Sequence, residues 1–154
     1  MLRASLQPPP LPMSRTPQLQ PTRLAHAFVT ALLLAQLVLP LFFTIQILLV
    51  WAGADSFTVS PERVHVMVRE TPLLALIAPI LRSGLIPAML YTHHRSPRWT
   101  LPLLLCSMVV HIIGWTAIIG NPYFSAPTGY ITLTLGSTLL ILLVLNPALR
   151  KPRV

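Results

Sequence analysis

Residues 72–91 read PLLALIAPILRSGLIPAMLY, an apolar run with a single arginine near its centre. About 20 consecutive apolar residues cross the hydrocarbon core of a bilayer as an α-helix, so the run predicts a transmembrane helix. A charged side chain at the bilayer centre costs at least about 2.5 kcal/mol. Arg82 has no Asp or Glu within any apolar stretch of the chain to neutralise its charge. The run therefore sets the fold class and also contains the residue that most requires a functional explanation.

The composition of the whole chain agrees with a protein that folds in lipid. Of its 154 residues, 54% are hydrophobic and only 9% are charged, and the mean hydropathy is +0.72. Soluble domains carry about 25% charged residues, so a soluble fold is excluded. A chain of this length has room for four or five crossings and for no separate soluble domain.

Four apolar stretches account for the membrane domain. The first contains Pro40 near its centre, and the second begins with Thr71 as a plausible N-cap and Pro72 in the first turn. Residues 99–149 carry no formal charge and are divided by NPYFSAP at 121–127, which indicates two spans joined by a turn. We therefore predict an all-α integral membrane protein with four transmembrane helices. The predicted domain covers residues 24–149, with spans at about 24–52, 72–91, 100–119 and 128–145.

The two ends of the chain differ from this apolar domain. Residues 1–23 hold six prolines, three arginines and no acid, a composition that predicts a disordered tail. The same composition is compatible with a mitochondrial transit peptide, although the prolines would interrupt its amphipathic helix. Residues 150–154 form a short basic C-terminal tail.

The basic residues predict the orientation of the domain. Eight of the eleven fall on one side of the predicted spans: Arg3, Arg15, Arg23, Arg95, Arg98, Arg150, Lys151 and Arg153. Lys and Arg concentrate on the side that is not translocated, so both termini are predicted to be cytoplasmic. The localisation is then a bacterial inner membrane or a eukaryotic organelle membrane.

The outer segment between the first two spans contains SPERVHVMVRE at residues 60–70. Ser60 followed by Pro61 and an acid is a helix start, and Val64, Met67 and Val68 would then share one face. The alternation of apolar and polar residues from Val64 onward fits a short strand equally well. We favour an amphipathic helix on the outer membrane surface, because a lone strand would leave its edges unpaired.

Arg82 and His111 are predicted to lie at the same depth, near the midplane. Each of the other spans offers a polar or small-residue face to a common interior; these faces are Gln36, Pro40 and Thr44 in the first span, Ser107, His111 and Gly114 in the third, and Gly129, Thr132 and Gly136 in the fourth. Pro79 and Pro87 leave the carbonyls of Ala75 and Ser83 without helical donors, so these carbonyls are possible partners of the guanidinium.

The chemistry that these residues suggest is limited. Arg82, Gln36 and Thr132 are candidates for binding the anionic or carbonyl end of a lipophilic ligand, and His111 is the candidate acid or base if the protein is an enzyme. No cofactor or metal is predicted, because no motif for one occurs and the pair of His26 with His93 or His94 is a poor haem site. Nucleic acid is not a predicted partner, because the basic residues are spread between spans.

Three functions remain open from the sequence. The favoured hypothesis is an accessory or assembly subunit of a larger membrane complex, in which a partner membrane protein or a second copy supplies an acid to Arg82. The second is a membrane-embedded enzyme that acts on a lipophilic substrate with Arg82 and His111 in its pocket. The third is a small organic-anion transporter or channel with Arg82 in its path. Membrane lipid is a partner in all three.

Overall fold

The computed structural model describes residues 21–58, 60–121 and 126–150, and this part of the chain is helical with no strand. The helices are α1 (Pro21–Trp51), α2 (Pro61–Glu70), α3 (Leu73–Arg95), α4 (Thr100–Thr116) and α5 (Ala126–Leu145). Short 3-10 turns cover Asp55–Phe57, Pro97–Trp99 and Pro147–Arg150. Four helices, α1, α3, α4 and α5, are long and apolar enough to cross a membrane. The predicted all-α fold with four such helices is confirmed.

The helix ends differ from the predicted spans by a few residues. Helix α3 runs four residues beyond position 91 and stops before Ser96, because a residue that precedes proline disfavours helical dihedral angles. Helix α4 ends three residues before position 119, and the chain then turns with Gly120 at a φ of 87°. Residues 1–20 of the predicted N-terminal tail and 151–154 of the basic C-terminal tail lie outside the described residues.

Polar contacts show that neighbouring long helices are antiparallel. Thr44 Oγ1 of α1 lies 2.8 Å from Ser83 Oγ of α3, whereas nearer the start of α1 the His26 and His93 rings are in contact. We call the half of the bundle that contains the start of α1 and the end of α3 the terminal half. The opposite half, which contains the end of α1, the start of α3 and all of α2, is called the α2 half. Helices α4 and α5 continue the alternation.

The terminal half is closed by a cluster of large apolar side chains. These are Val29, Leu33, Ile86, Met89, Leu104, Leu139, Leu143 and Leu149. Close packing of these side chains stabilises this half of the bundle. The α2 half contains a smaller cluster, in which Ile47, Val68 and Leu76 are the buried members.

Helix α2 confirms the helical interpretation of residues 60–70, and the strand alternative is wrong. Helix α2 begins at Pro61. Ser60, directly before it, has a φ of 62°, a left-handed conformation at which the chain turns into the helix. Its apolar face packs against α1 and α3 in the smaller cluster, where Val64 and Met67 contact the buried residues. This face therefore packs against the bundle itself. The position of α2 on the outer membrane surface stays a prediction.

The junction of α2 and α3 also differs from the prediction. Pro72, and not Thr71, is the N-cap of α3, and its carbonyl accepts hydrogen bonds from the Ala75 and Leu76 amides. Thr71 is instead the C-cap of α2, and its amide donates to the Met67 carbonyl at 2.9 Å. The prediction was wrong because α2 ends immediately before α3, so that one residue closes the first helix and the next residue opens the second.

Candidate functional site

A cavity of about 160 Å³ lies inside the α2 half of the bundle. All four long helices contribute to its wall, and the end of α2 contributes Met67 and Thr71. Most of the wall is apolar, with Pro40, Phe43 and Leu76 among its residues. An engineered protein cavity of about 150 Å³ holds benzene, so this space suits a small organic molecule.

Glycines on α4 and α5 shape this half of the bundle. A Cβ atom on Gly114 would overlap the Cβ of Ala78, so the α3 and α4 backbones are in close approach at this point. A Cβ atom on Gly129 would run into the indole of Trp115, which covers that glycine. The faces that the sequence identified on α4 and α5 thus point inward, and Gly114, Gly129 and Thr132 line the cavity.

Arg82 of α3 is 5% exposed and lines the cavity. Its Nε donates to Ser107 Oγ at 3.3 Å, and its Nη1 donates to His111 Nδ1 at 3.3 Å. A guanidinium has five N–H groups, so three of them have no partner in the described part of the chain. The described residues also provide no carboxylate that pairs with Arg82. Its charge is therefore buried and only partly satisfied.

The carbonyls of Ala75 and Ser83 are not hydrogen-bond partners of Arg82, contrary to the possibility raised by the prolines. The guanidinium extends across the interface to α4, whereas these carbonyls are aligned with the axis of its own helix. The side chain therefore finds its acceptors on the neighbouring helix. Ser83 uses its hydroxyl locally and donates to the Pro79 carbonyl at 2.9 Å.

His111 connects Arg82 to α5, and its tautomer follows from its two partners. The guanidinium can only donate, so the Nδ1 atom that faces it is unprotonated. A carbonyl can only accept, so Nε2 carries the proton and donates to the Gly129 carbonyl at 3.3 Å. The ring also stacks on Trp115 with an interplanar angle of 7° and a centroid separation of 6.2 Å. Both nitrogens are thus occupied in a neutral imidazole.

The other two predicted ligand-binding residues have different positions. Thr132 is buried, lines the cavity and donates to the Thr128 carbonyl at 3.0 Å, which leaves its oxygen able to accept. Gln36 is buried in α1 but does not line the cavity. Thr44 marks the level of Ser83 and hence of Arg82, and Gln36 lies eight residues away, or about 12 Å along the helix. Gln36 is therefore not part of this site.

Thr71 is a cavity residue that sequence reasoning treated only as a helix cap. Its side chain is 8% exposed, and its hydroxyl has no hydrogen-bond partner among the described residues. The available signal was partial, because Ala75, Ala78 and Arg82 share one face of α3 and Thr71 precedes that helix by two residues. All four residues line the cavity.

The terminal half holds a second polar contact of a different kind. His26 Nδ1 lies 3.1 Å from His93 Nε2, and both rings are buried. Their direct contact links α1 to α3. The described residues contain no group of three or more side chains suited to hold a metal ion. This pair serves as an interhelical link beside the closed apolar cluster.

The fold and the site together define a class, namely an all-α protein with four helices of membrane-spanning length around a small apolar cavity that has a cationic wall. Comparisons of the chain with protein-family models, with curated proteins and with solved structures found no match. The geometry of Arg82 and its cavity is therefore the basis for a functional proposal.

Proposed function

We propose that this chain is a multi-pass membrane protein, with both termini cytoplasmic, that binds a small amphipathic anion in the cavity of its α2 half. The observation that carries the proposal is the state of Arg82. Its guanidinium is buried at the cavity wall, has no carboxylate partner among the described residues and uses only two of its five N–H groups. A ligand anion would supply the missing charge and the missing acceptors.

The chemistry of the guanidinium favours a carboxylate or a related planar anion. Its rigid fork of N–H groups matches the two oxygens of a carboxylate and binds them in a bidentate manner. Ser107 and His111 hold the Nε and Nη1 atoms, so the side chain is oriented before a ligand arrives. The apolar remainder of the cavity wall would contact an apolar ligand body.

The burial of Arg82 bears on the accessory-subunit hypothesis. That hypothesis assigns the neutralising acid to a partner membrane protein or to a second copy of the chain. With Arg82 5% exposed and bonded to α4 of its own chain, such an acid would have to enter the cavity to reach it. Assembly with a partner stays a proposal, but Arg82 is better explained as the site of a small ligand.

The arrangement also favours binding over chemistry by His111. An acid or base must be free to exchange its proton with a substrate. The proton on Nε2 is engaged by the Gly129 carbonyl, and Nδ1 accepts from Arg82. The geometry supports a role for His111 in positioning the guanidinium, whereas an enzymatic role would require one of these bonds to open. A transporter would use the same anion site.

Purification of the protein in lipid nanodiscs, followed by native mass spectrometry and calorimetric titration with hexanoate, tests the proposal. We expect hexanoate to bind the wild type, to bind Arg82→Lys weakly because the planar fork is lost, and not to bind Arg82→Leu. Arg98→Leu is the matched control, because Arg98 is exposed and lies outside the cavity. If the wild type does not bind hexanoate and Arg82→Leu loses a protein partner, the subunit hypothesis is correct instead.

A further inference from the structure

The cavity has a second polar end, formed where α2 meets α3. We propose that the ligand is bifunctional: a short apolar molecule with a carboxylate at one end, bound by Arg82, and a hydroxyl at the other end, bound by Thr71. This inference rests on the proposed function and specifies the class of ligand as an ω-hydroxy carboxylate. No other side chain of the cavity wall combines such burial with an unused hydroxyl in the described part of the chain.

Thr71 differs from the other threonines on the helices. Several donate their hydroxyl hydrogen to the carbonyl four residues earlier and so satisfy it locally; these are Thr30, Thr116, Thr132 and Thr138. For Thr71 the Met67 carbonyl, four residues earlier, accepts the Thr71 amide, and the hydroxyl forms no bond to it. The hydroxyl is thus buried at the cavity wall without a partner, which is unfavourable unless a ligand provides one.

A backbone acceptor lies four residues further along the chain. Ala75 lines the cavity, and its carbonyl would normally accept from the amide of residue 79. That residue is Pro79, which has no amide hydrogen. Thr71 therefore offers a donor and Ala75 a carbonyl without its usual helical partner. A hydroxyl group both donates and accepts, so it can bond to either of these groups.

The distance between the two ends sets the length of the ligand. Nine residues of α3, or about 14 Å of helix rise, separate its start at Leu73 from Arg82, and Thr71 lies two residues before that start. Side chains lean toward the N-terminus of their helix, so the guanidinium shortens this gap from the Arg82 side. A ligand seated wholly within the cavity volume of about 160 Å³ has roughly six to ten non-hydrogen atoms. A linear chain of about six carbons with polar groups at both ends satisfies both limits.

The wall between the two ends determines what the middle of the ligand must be. Ile47, Leu76 and Phe43 line this region and present no hydrogen-bonding side-chain atoms. Hydroxyl groups along the middle of a ligand would lose their water without gaining a partner. The site therefore favours an aliphatic body and disfavours sugar acids and other polyols of the same length.

The test is calorimetric titration of the full-length protein in nanodiscs with three probes: hexanoate, 6-hydroxyhexanoate and 2-hydroxyhexanoate. We expect 6-hydroxyhexanoate to bind the wild type about three- to tenfold more tightly than hexanoate, as one added hydrogen bond predicts. The 2-hydroxy isomer, with its hydroxyl beside the carboxylate, should show no such gain. In Thr71→Val, which keeps the shape of the side chain, the preference should disappear while hexanoate affinity is unchanged.

Thr116→Val is the control variant, because Thr116 is exposed on α4 and does not line the cavity. It should retain the full preference. Equal binding of hexanoate and 6-hydroxyhexanoate to the wild type, or a preference that survives in Thr71→Val, overturns this inference alone. If no carboxylate binds the wild type, or if all bind Arg82→Leu as well as the wild type, the proposed function fails and this inference fails with it.

Discussion

The terminal half and the α2 half are built from the same four long helices, yet one is closed and the other holds a cavity. The difference lies in the size of the inward-facing side chains. In α5, Leu139 and Leu143 fill the terminal half, whereas Gly129 and Thr132 occupy the corresponding inner face of the α2 half. The length and hydropathy of the four long helices therefore produce the bundle. Local differences in the size of their inward-facing side chains produce the cavity within it.

The polar groups of the two halves differ in the same sense. In the terminal half, His26 and His93 contact each other across the helix interface. In the α2 half, Arg82 retains unused N–H groups and Thr71 an unused hydroxyl at the cavity wall. Gln36 Nε2, which is not at the cavity wall, is also buried without a partner among the described residues. The α2 half differs in that its unsatisfied groups share a cavity, and we therefore assign ligand binding to that half.

The largest loss of stability is expected when a buried side chain of the terminal cluster is truncated. Leu139→Ala removes a fully buried side chain from the terminal cluster and should lower the free energy of unfolding by about 2–5 kcal/mol. Ile141→Ala, on the outward-facing side of the same helix at 56% exposed, should cost less than about 1 kcal/mol. Denaturant titration of both variants in the same detergent provides the measurement. Equal losses would mean that the terminal cluster does not close the bundle.

A smaller loss is expected from adding one methyl group to the α2 half. Gly129→Ala forces its new Cβ atom against the Trp115 indole and should cost about 1–3 kcal/mol, with loss of carboxylate binding as the ring moves. Gly84→Ala is the matched control, because open space surrounds that position and alanine favours the helix. Thermal unfolding of the two variants gives the comparison. A stable Gly129→Ala protein that still binds hexanoate would contradict the assigned geometry.

The smallest effect is a loss of carboxylate affinity when the Arg82 guanidinium is less well oriented. Ser107→Ala removes the acceptor of the Arg82 Nε hydrogen, so the side chain should become less well oriented. We expect carboxylate affinity to fall about three- to tenfold, in line with the loss of one hydrogen bond. Titration with hexanoate measures the change, and Thr138→Val, which removes a hydroxyl outside the cavity, serves as the reference. An unchanged affinity would show that His111 alone positions Arg82.

Much of the fold was predictable from the sequence because it depends on quantities that a sequence contains. The length of the apolar runs identified the four long helices, and the start at Ser60 and Pro61 identified α2. Counting residues within each span predicted that Arg82 and His111 could meet, and the two side chains are in contact. For these features, the spacing of residues along the chain was sufficient to predict the structure.

The errors arose where the relative placement of helices decides the outcome. Helical periodicity identified the inner face of α1 but not where the cavity ends along that helix, so Gln36 was assigned to the site although the α1 residues that line the cavity begin at Leu39. The acceptors of Arg82 were sought on its own helix, although the neighbouring helix provides them. Thr71 was missed because its role depends on how α2 packs against the end of the bundle.

The stacking of Trp115 on His111 gives this protein a built-in optical probe. The chain contains three tryptophans, and the other two, Trp51 and Trp99, are about half exposed at helix ends. Trp115 alone lines the cavity and contacts the partner of Arg82. Because indole emission depends on the polarity of its surroundings, the fluorescence of Trp115 will report occupancy of the cavity without any label. Substitution of Trp51 and Trp99 by phenylalanine would isolate that signal.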